Sequence, residues 1–302
     1  MNNKYSKWIL FVVLCLIWGS SFMLMKWGMF DKDNNPTLSA YDVAALRILS
    51  AGIVMLPFVP SSIKKIPSNV LVYVLFSGWL GSFFPAFLFC IAESKIDGSL
   101  AGSLNALTSL FVIITGFLFF NVKSNRKKII GVIIGLLGCT LITVANYSKP
   151  FEYIAYSGFV ILATFMYGFN INLIQKKLSA LNALSVAAIS LTGLIIPSAT
   201  VLFFSSYFSL PLSQHSYIIS TLSSVVLGIL GTSFATILFY VLIKSAGGLF
   251  ASLVTYGIPF VAIGWGFYNN ELITWIHILA LVIILVGVYI VNQKDFSMKL
   301  KE

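Results

Sequence analysis

Charge is scarce in this chain: 9% of its residues are Asp, Glu, Lys or Arg, against about 25% in an ordinary soluble domain. Acids are scarcer than bases, nine against 19, and there are only two histidines and three cysteines. Each shortage excludes something. With 59% hydrophobic residues and a mean hydropathy of +0.97, no soluble core accommodates the apolar side chains. Cys15, Cys90 and Cys139 fall within apolar runs at spacings that fit neither a disulfide framework nor a metal site, and they read as small core residues. His215 lies in an external loop and His277 near the start of the last apolar run. Neither has an Asp, Glu or Cys at dyad or ligand spacing, so no intramembrane enzyme, no metal and no cofactor is expected. The chain also lacks the filter-like glycine loop or ring of like charges that a channel needs. A basic stripe with interleaved aromatics is missing too, which argues against a nucleic-acid partner despite a formal charge of +10.

Long apolar runs are abundant. A spanning helix needs about 20 predominantly apolar residues, and ten windows qualify: 8–29, 40–60, 70–91, 99–120, 129–146, 153–174, 183–206, 218–243, 248–268 and 274–292. The expected fold is an all-α membrane protein of ten transmembrane helices, with the lipid bilayer as its surroundings. Residues 8–17 after Lys4 and Lys7 look like a signal peptide, but no small-residue cleavage site follows and Val-Leu before Cys15 does not suit a lipoprotein. They read as a retained first span. If the N-terminus is cytoplasmic, 14 loop or terminal bases fall inside, such as Lys64, Lys65, Lys127 and Lys177, and only Lys32, Lys95 and Lys149 fall outside. That is the positive-inside pattern. It predicts a multi-pass protein of the cell (inner) membrane with both termini cytoplasmic.

The chain repeats itself. Aligned at an offset of 150, residues 81–120 and 231–270 share nine identities, among them Gly81/Gly231, Phe89/Phe239, Gly98/Gly248 and Gly116/Gly266. An offset of 149 sets Trp18-Gly19 against Tyr167-Gly168. Each half holds five windows, and five is odd, so the second half enters the membrane from the opposite side. The expected organisation is a first repeat over 1–146, an external linker over 147–152 and a second, inverted repeat over 153–302. Inverted repeats place a site between the halves, open to either side in turn.

Several stretches are similar to the EamA-type branch of the drug/metabolite transporter superfamily. The first span, ending Ile17-Trp18-Gly19-Ser20-Ser21-Phe22 with Lys26 beyond, resembles that family's first helix, and Arg47 in Ala45-Leu46-Arg47 resembles the arginine of its second. Leu238-Phe239-Tyr240, Ala251-Ser252-Leu253, Pro259, Glu271 and Gly287 look like its closing helices. Gln175 stands where the second repeat would match Lys26. The resemblance covers about residues 8–292 and implies a ten-helix transporter with a central cavity, usually an exporter of amino acids, metabolites or drugs.

Polar side chains inside apolar helices either bond to neighbouring helices or face a wet cavity. Thr232, Ser233, Thr236 and Tyr240 share a face of the eighth span, and Ser252, Thr255 and Tyr256 recur in the ninth. Asn105, Thr108 and Ser109 form the matching patch on the fourth, while Tyr167 and Asn170 match Trp18 and Ser21. The candidate substrate-binding set is therefore Trp18, Ser21, Asn105, Thr108, Tyr167, Asn170, Thr236, Tyr240, Thr255 and Tyr256. The plainer reading of each Ser and Thr is a bond back to a carbonyl or between helices. Trp18 and Tyr167 would stack on a flat cargo or hold a cation, which favours aromatic, amphipathic or amine-bearing molecules.

Two bases remain within the spans as vestibule or structural charges. Lys26 is placed to snorkel to the interface. Arg47 has three options: pairing with Asp42, lining the outer vestibule, or binding carbonyls at a helix end. No Asp or Glu occupies the middle of a window, so coupling through one buried acid is not expected. The glycine stripe Gly131, Gly135 and Gly138 suits close helix packing. The function expected is transport, in the export direction, of a small molecule by alternating access; a flippase for a lipid or lipid-linked molecule is the alternative. The oligomeric state is left open, a monomer included.

Overall fold

The computed structural model describes residues 4–122, 125–145, 151–268 and 274–292. Residues 147–150 of the expected linker, Glu271 and the tail from 293 lie outside them, as do the side chains of Cys139 and His277. In chain order the helices are α1 (Tyr5–Met29), α2 (Ala40–Ile63), α3 (Ser68–Glu93), α4 (Gly98–Phe120), α5 (Arg126–Ala145), α6 (Ala155–Leu178), α7 (Ala183–Phe204), α8 (His215–Ala246), α9 (Gly248–Tyr268) and α10 (Trp275–Asn292). Eight of them are long and apolar enough to cross a membrane; in α5 and α10 the apolar stretches are shorter, Ile129–Gly138 and Ile278–Gly287. Outside the helices the described residues add one isolated bridge, Phe30 to Pro36.

The helix boundaries follow from local chemistry. Ser39 opens α2 with a capping box: its hydroxyl accepts from the Asp42 N–H at 3.2 Å, and its own N–H donates to Asp42 Oδ2 at 3.0 Å. Asn182 opens α7 by accepting the Leu184 N–H at 2.9 Å. Between α8 and α9 the backbone turns at Gly247 with φ +86°, a left-handed conformation that only glycine adopts without strain. In three helices the ladder loosens into π turns, Trp79–Phe83 in α3, Leu227–Phe234 in α8 and Ile174–Leu178 at the end of α6. In α4 a 3-10 turn over Asn105–Leu107 does the opposite and tightens it.

Packing between the halves is reciprocal. Helix α1 lies along α9, and α6 lies along α4. Both contacts use a glycine at the same repeat position: a Cβ at Gly19 would strike Val261, and one at Gly168 would strike Phe111 and Val112. Phe111 and Val261 are themselves 150 residues apart. Likewise α2 seats its Arg47 carbonyl against Gly228 of α8, while α7 seats its Ser190 carbonyl against Gly78 of α3. Lipid tails are as apolar as leucine, so helices in a membrane gain little by hiding apolar surface and associate through such close backbone approach instead. Helices α5 and α10 pair with each other, where Gly287 meets Gly131 and Gly135. The predicted glycine stripe thus faces a neighbouring helix.

Candidate functional site

Between the halves lies a cavity with about 80 Å³ of water-accessible space. A single water needs about 10–15 Å³ on that measure, so the cavity holds several waters or a small solute. Nine of the ten predicted residues line it: Trp18 and Ser21 from α1, Asn105 and Thr108 from α4, Tyr167 and Asn170 from α6, Thr236 and Tyr240 from α8, and Thr255 from α9. Tyr256 does not. One residue beyond Thr255 turns about 100° around the helix, and the Tyr256 ring packs on Gly135 of α5 instead.

Two aromatic pairs frame the cavity, and they are each other's repeat counterparts. Trp18 meets Phe239 edge to face with ring centres 4.8 Å apart, and Tyr167 stacks on Phe89 at 6.0 Å. Trp18 is further fixed by its indole N–H, which donates to the Gly231 carbonyl at 2.9 Å. Gly231 lies in the π turn of α8, where the widened ladder frees carbonyls from their usual partners. Gly81 holds the same place in the π turn of α3. A Cβ at Gly81 would strike Asn170, and one at Gly231 would approach Ser21, so each π turn admits a polar side chain from the other half.

The polar groups differ in how far they are committed. Ser21 donates back to the Ile17 carbonyl at 3.0 Å and Thr255 to that of Ser252 at 2.7 Å, the plainer role expected for hydroxyls in helices. Thr108 bonds Asn105 at 3.3 Å, and the Tyr240 hydroxyl lies 3.2 Å from Ser77 Oγ. Asn170 is buried, yet its Oδ1 accepts no hydrogen bond. Ser233 and Ser252, grouped with these in sequence, serve helix contacts: Ser233 donates to the Ala51 carbonyl and Ser252 pairs with Ser109.

The two bases part company. The Lys26 ammonium donates to the carbonyls of Glu93 at 2.7 Å and Ile96 at 3.0 Å, tying the end of α1 to the α3–α4 connection. Arg47 does not pair with Asp42, the first of the three options expected of it. Asp42 is bound to Ser39 in the capping box, and the Arg47 side chain reaches the central cavity, where Nε donates to Thr232 Oγ1 at 2.8 Å and Nη1 lies 3.8 Å from Met25 Sδ. A buried acid that sequence reading passed over is Glu93. It ends α3 with 0% exposure, its carboxylate next to Gly98 at the start of α4, and it does not line the cavity.

The apolar lining was also passed over: Phe22, Met25, Phe89, Ile171 and Phe239. The repeat alignment carried a signal for two of these, because Phe89/Phe239 recurs beside Gly81/Gly231. Taken together, the wall offers aromatic faces, hydroxyls, amides and one guanidinium. Among the described residues no cluster of His, Cys, Asp or Glu could hold a metal. Such a wall offers a solute ring faces to lie against and hydrogen-bond partners.

Comparison with known proteins agrees with this architecture. The EamA-like transporter family matches the chain twice, over residues 6–144 and 155–293. An uncharacterized transporter of Archaeoglobus fulgidus is 25% identical over 293 residues, covering 95% of this chain and 99% of that protein. A solved crystal structure superposes with a TM-score of 0.69 over 99% of this chain and 100% of that one; at 16% identity it speaks for the fold alone.

Proposed function

The chain belongs to the EamA-like transporter family, and from this premise we propose that its two repeats are inverted and export a small metabolite, amino acid or drug-like molecule by alternating access through the central cavity. As a member of that family it is a multi-pass membrane transporter rather than an enzyme. Inversion is supported by the reciprocal contacts: α1 with α9 and α6 with α4, α2 with α8 and α7 with α3, each through matched glycines. On this reading α5 and α10 also cross the bilayer, giving ten spans, five in a repeat over 1–146 and five over 153–302, joined by an external linker at 147–152. The excess of bases in the loops assigned inside supports cytoplasmic termini in the cell membrane.

The observation that carries the proposal is the convergence of Trp18, Asn105, Tyr167 and Tyr240, from both halves, on one cavity. Its modest size favours a small solute over a lipid-linked one. Alternating access then amounts to exchanging the packing of two similar halves around a fixed site. The test is reconstitution in liposomes. Single substitutions Trp18→Ala, Asn105→Ala, Tyr167→Ala and Tyr240→Ala should each slow transport without preventing membrane insertion; four variants with wild-type rates would show that the cavity is not the site. Accessible tags on the two termini should report the same membrane face, and opposite faces would refute inversion with ten spans.

A further inference from the structure

Five exposed lysines gather at one end of the helix bundle, where three connections meet. Lys64 and Lys65 lie between α2 and α3, Lys176 and Lys177 in the π turn that ends α6, and Lys244 in the last turn of α8. The start of α3 packs against that π turn, and the Lys177 ammonium stands over the Tyr73 ring, 5.7 Å from its centre. The Lys244 ammonium donates to the Leu181 carbonyl in the α6–α7 connection. The acids whose side chains are described all lie at the opposite end of the helices. Asp31, Asp33 and Asp42 flank the start of α2, and Glu93 and Asp97 flank the α3–α4 connection. Like charges gathered on one surface repel one another, and no described acid stands among these. The repeat does not call for them either: their counterparts Gln214, His215, Trp27, Gly28 and Ser94 carry no fixed charge. Beside the lysines the seam between α3 and α6 is apolar and open. Val72 and Phe76, one turn apart on α3, are 63% and 47% exposed, and Phe76 meets Phe169 of α6 edge to face with ring centres 6.5 Å apart.

We propose that this end of the bundle is a binding site for an anionic phospholipid, whose headgroup phosphate sits among the lysines of the α2–α3 connection and the α6 π turn while an acyl chain follows Val72 and Phe76. Charge complementarity selects the occupant: lysines near a membrane surface attract anionic headgroups, and the compact ammonium is a strong point charge for a phosphate oxygen. Free phosphate would satisfy the lysines and leave the apolar seam unused. A zwitterionic phospholipid would bring its own ammonium up against the others. Basic loops also bias how a chain inserts in the membrane, but that role asks nothing of the seam beside them.

The experiment titrates the purified full-length chain, in neutral detergent at low ionic strength, with dioleoyl phosphatidylglycerol, dioleoyl phosphatidylcholine or inorganic phosphate, and follows its melting temperature. Phosphatidylglycerol should give a saturable rise that added salt weakens, and the other two should give none. The double variant Lys176→Gln with Lys177→Gln should need at least about tenfold more phosphatidylglycerol for the same rise, the scale expected for two lysines at a membrane surface. Lys32→Gln with Lys95→Gln removes as much charge from the opposite end and should titrate as wild type does. Equal rises from the two lipids, a rise from inorganic phosphate that matches phosphatidylglycerol, no saturable rise at all, or equal losses in the two double variants would each overturn the proposal. So would wild-type titration by the Lys176, Lys177 variant, which would leave those lysines a role in insertion alone. Should that variant fail to fold, Lys64→Gln with Lys65→Gln takes its place: a several-fold loss upholds the site and wild-type titration removes it. The central cavity plays no part in this readout, so either result leaves the transport reading where it stands.

Discussion

The first and second halves of the molecule use the same joints with different chemistry. Lys26 ends α1 by bonding the α3–α4 connection, and its counterpart Gln175 ends α6 by accepting the Gly248 N–H at 3.0 Å, at the α8–α9 connection. A cation in one half and an amide in the other do one job. Trp18 and Tyr167 each meet a phenylalanine, Phe239 and Phe89. The contrast is greatest at Arg47 and Ser190. Each lies eight residues past its helix's N-cap, Ser39 or Asn182, and each turns its carbonyl to a glycine of the opposite half. One projects a guanidinium into the cavity and the other a hydroxyl that donates to Ala187, one turn back in α7. The backbone joints are thus near-symmetric, while the side chains they carry are not.

The sharpest way to break this comparison is at the shared joints. Gly78→Leu and Gly228→Leu should each be severe and about equally so, because the obstacle is a backbone carbonyl that cannot move aside; overpacking costs about 1–3 kcal/mol or more, and yield and melting temperature in detergent measure it. Tolerance of one but not the other would mean the joints are not equivalent. Next, Arg47→Ser should slow liposome transport by about tenfold or more, whereas Ser190→Ala should change it by less than threefold. A smaller effect is expected at the aromatic pairs, worth about 0.5–1.5 kcal/mol each beyond area burial: Trp18→Ala and Tyr167→Ala should slow liposome transport by similar factors. Smallest is Lys26→Gln, which installs the second half's solution in the first and should shift the melting point little, while Lys26→Leu leaves two carbonyls without their donor and costs about 1–3 kcal/mol.

Much of this was legible in the sequence because it rests on composition and period. Apolar runs of spanning length need no tertiary information, and the recurrence of glycines at 81, 98 and 116 reflects the joints themselves. Nine of ten candidate residues reach one cavity because polar side chains are too costly in hydrocarbon to be placed at random. Tyr256 fails for a geometric reason: helical spacing marks a face, and a neighbour a quarter-turn away points at another helix. Arg47 was visible as an anomaly, but which way a long flexible side chain turns depends on Thr232 and Met25, which are distant in sequence or on another helix. Phe22, which has no such recurrence as Phe89 and Phe239 share, could not be told from a lipid-facing phenylalanine, since a greasy residue is equally at home on either side.

The π turns at Trp79–Phe83 and Leu227–Phe234 give the two inner helices something an unbroken α-helix lacks. A π turn amounts to one extra residue in the coil, and one residue is worth about 100° of azimuth. Upstream and downstream stretches of α3 and α8 are therefore set out of phase, so that Gly81 and Phe89, or Gly231 and Phe239, face inward together. Deleting one residue from either bulge would restore a regular spiral and swing everything beyond it by more than a quarter-turn, sending the Phe89 or Phe239 ring toward the lipid while leaving the composition of the helix almost untouched.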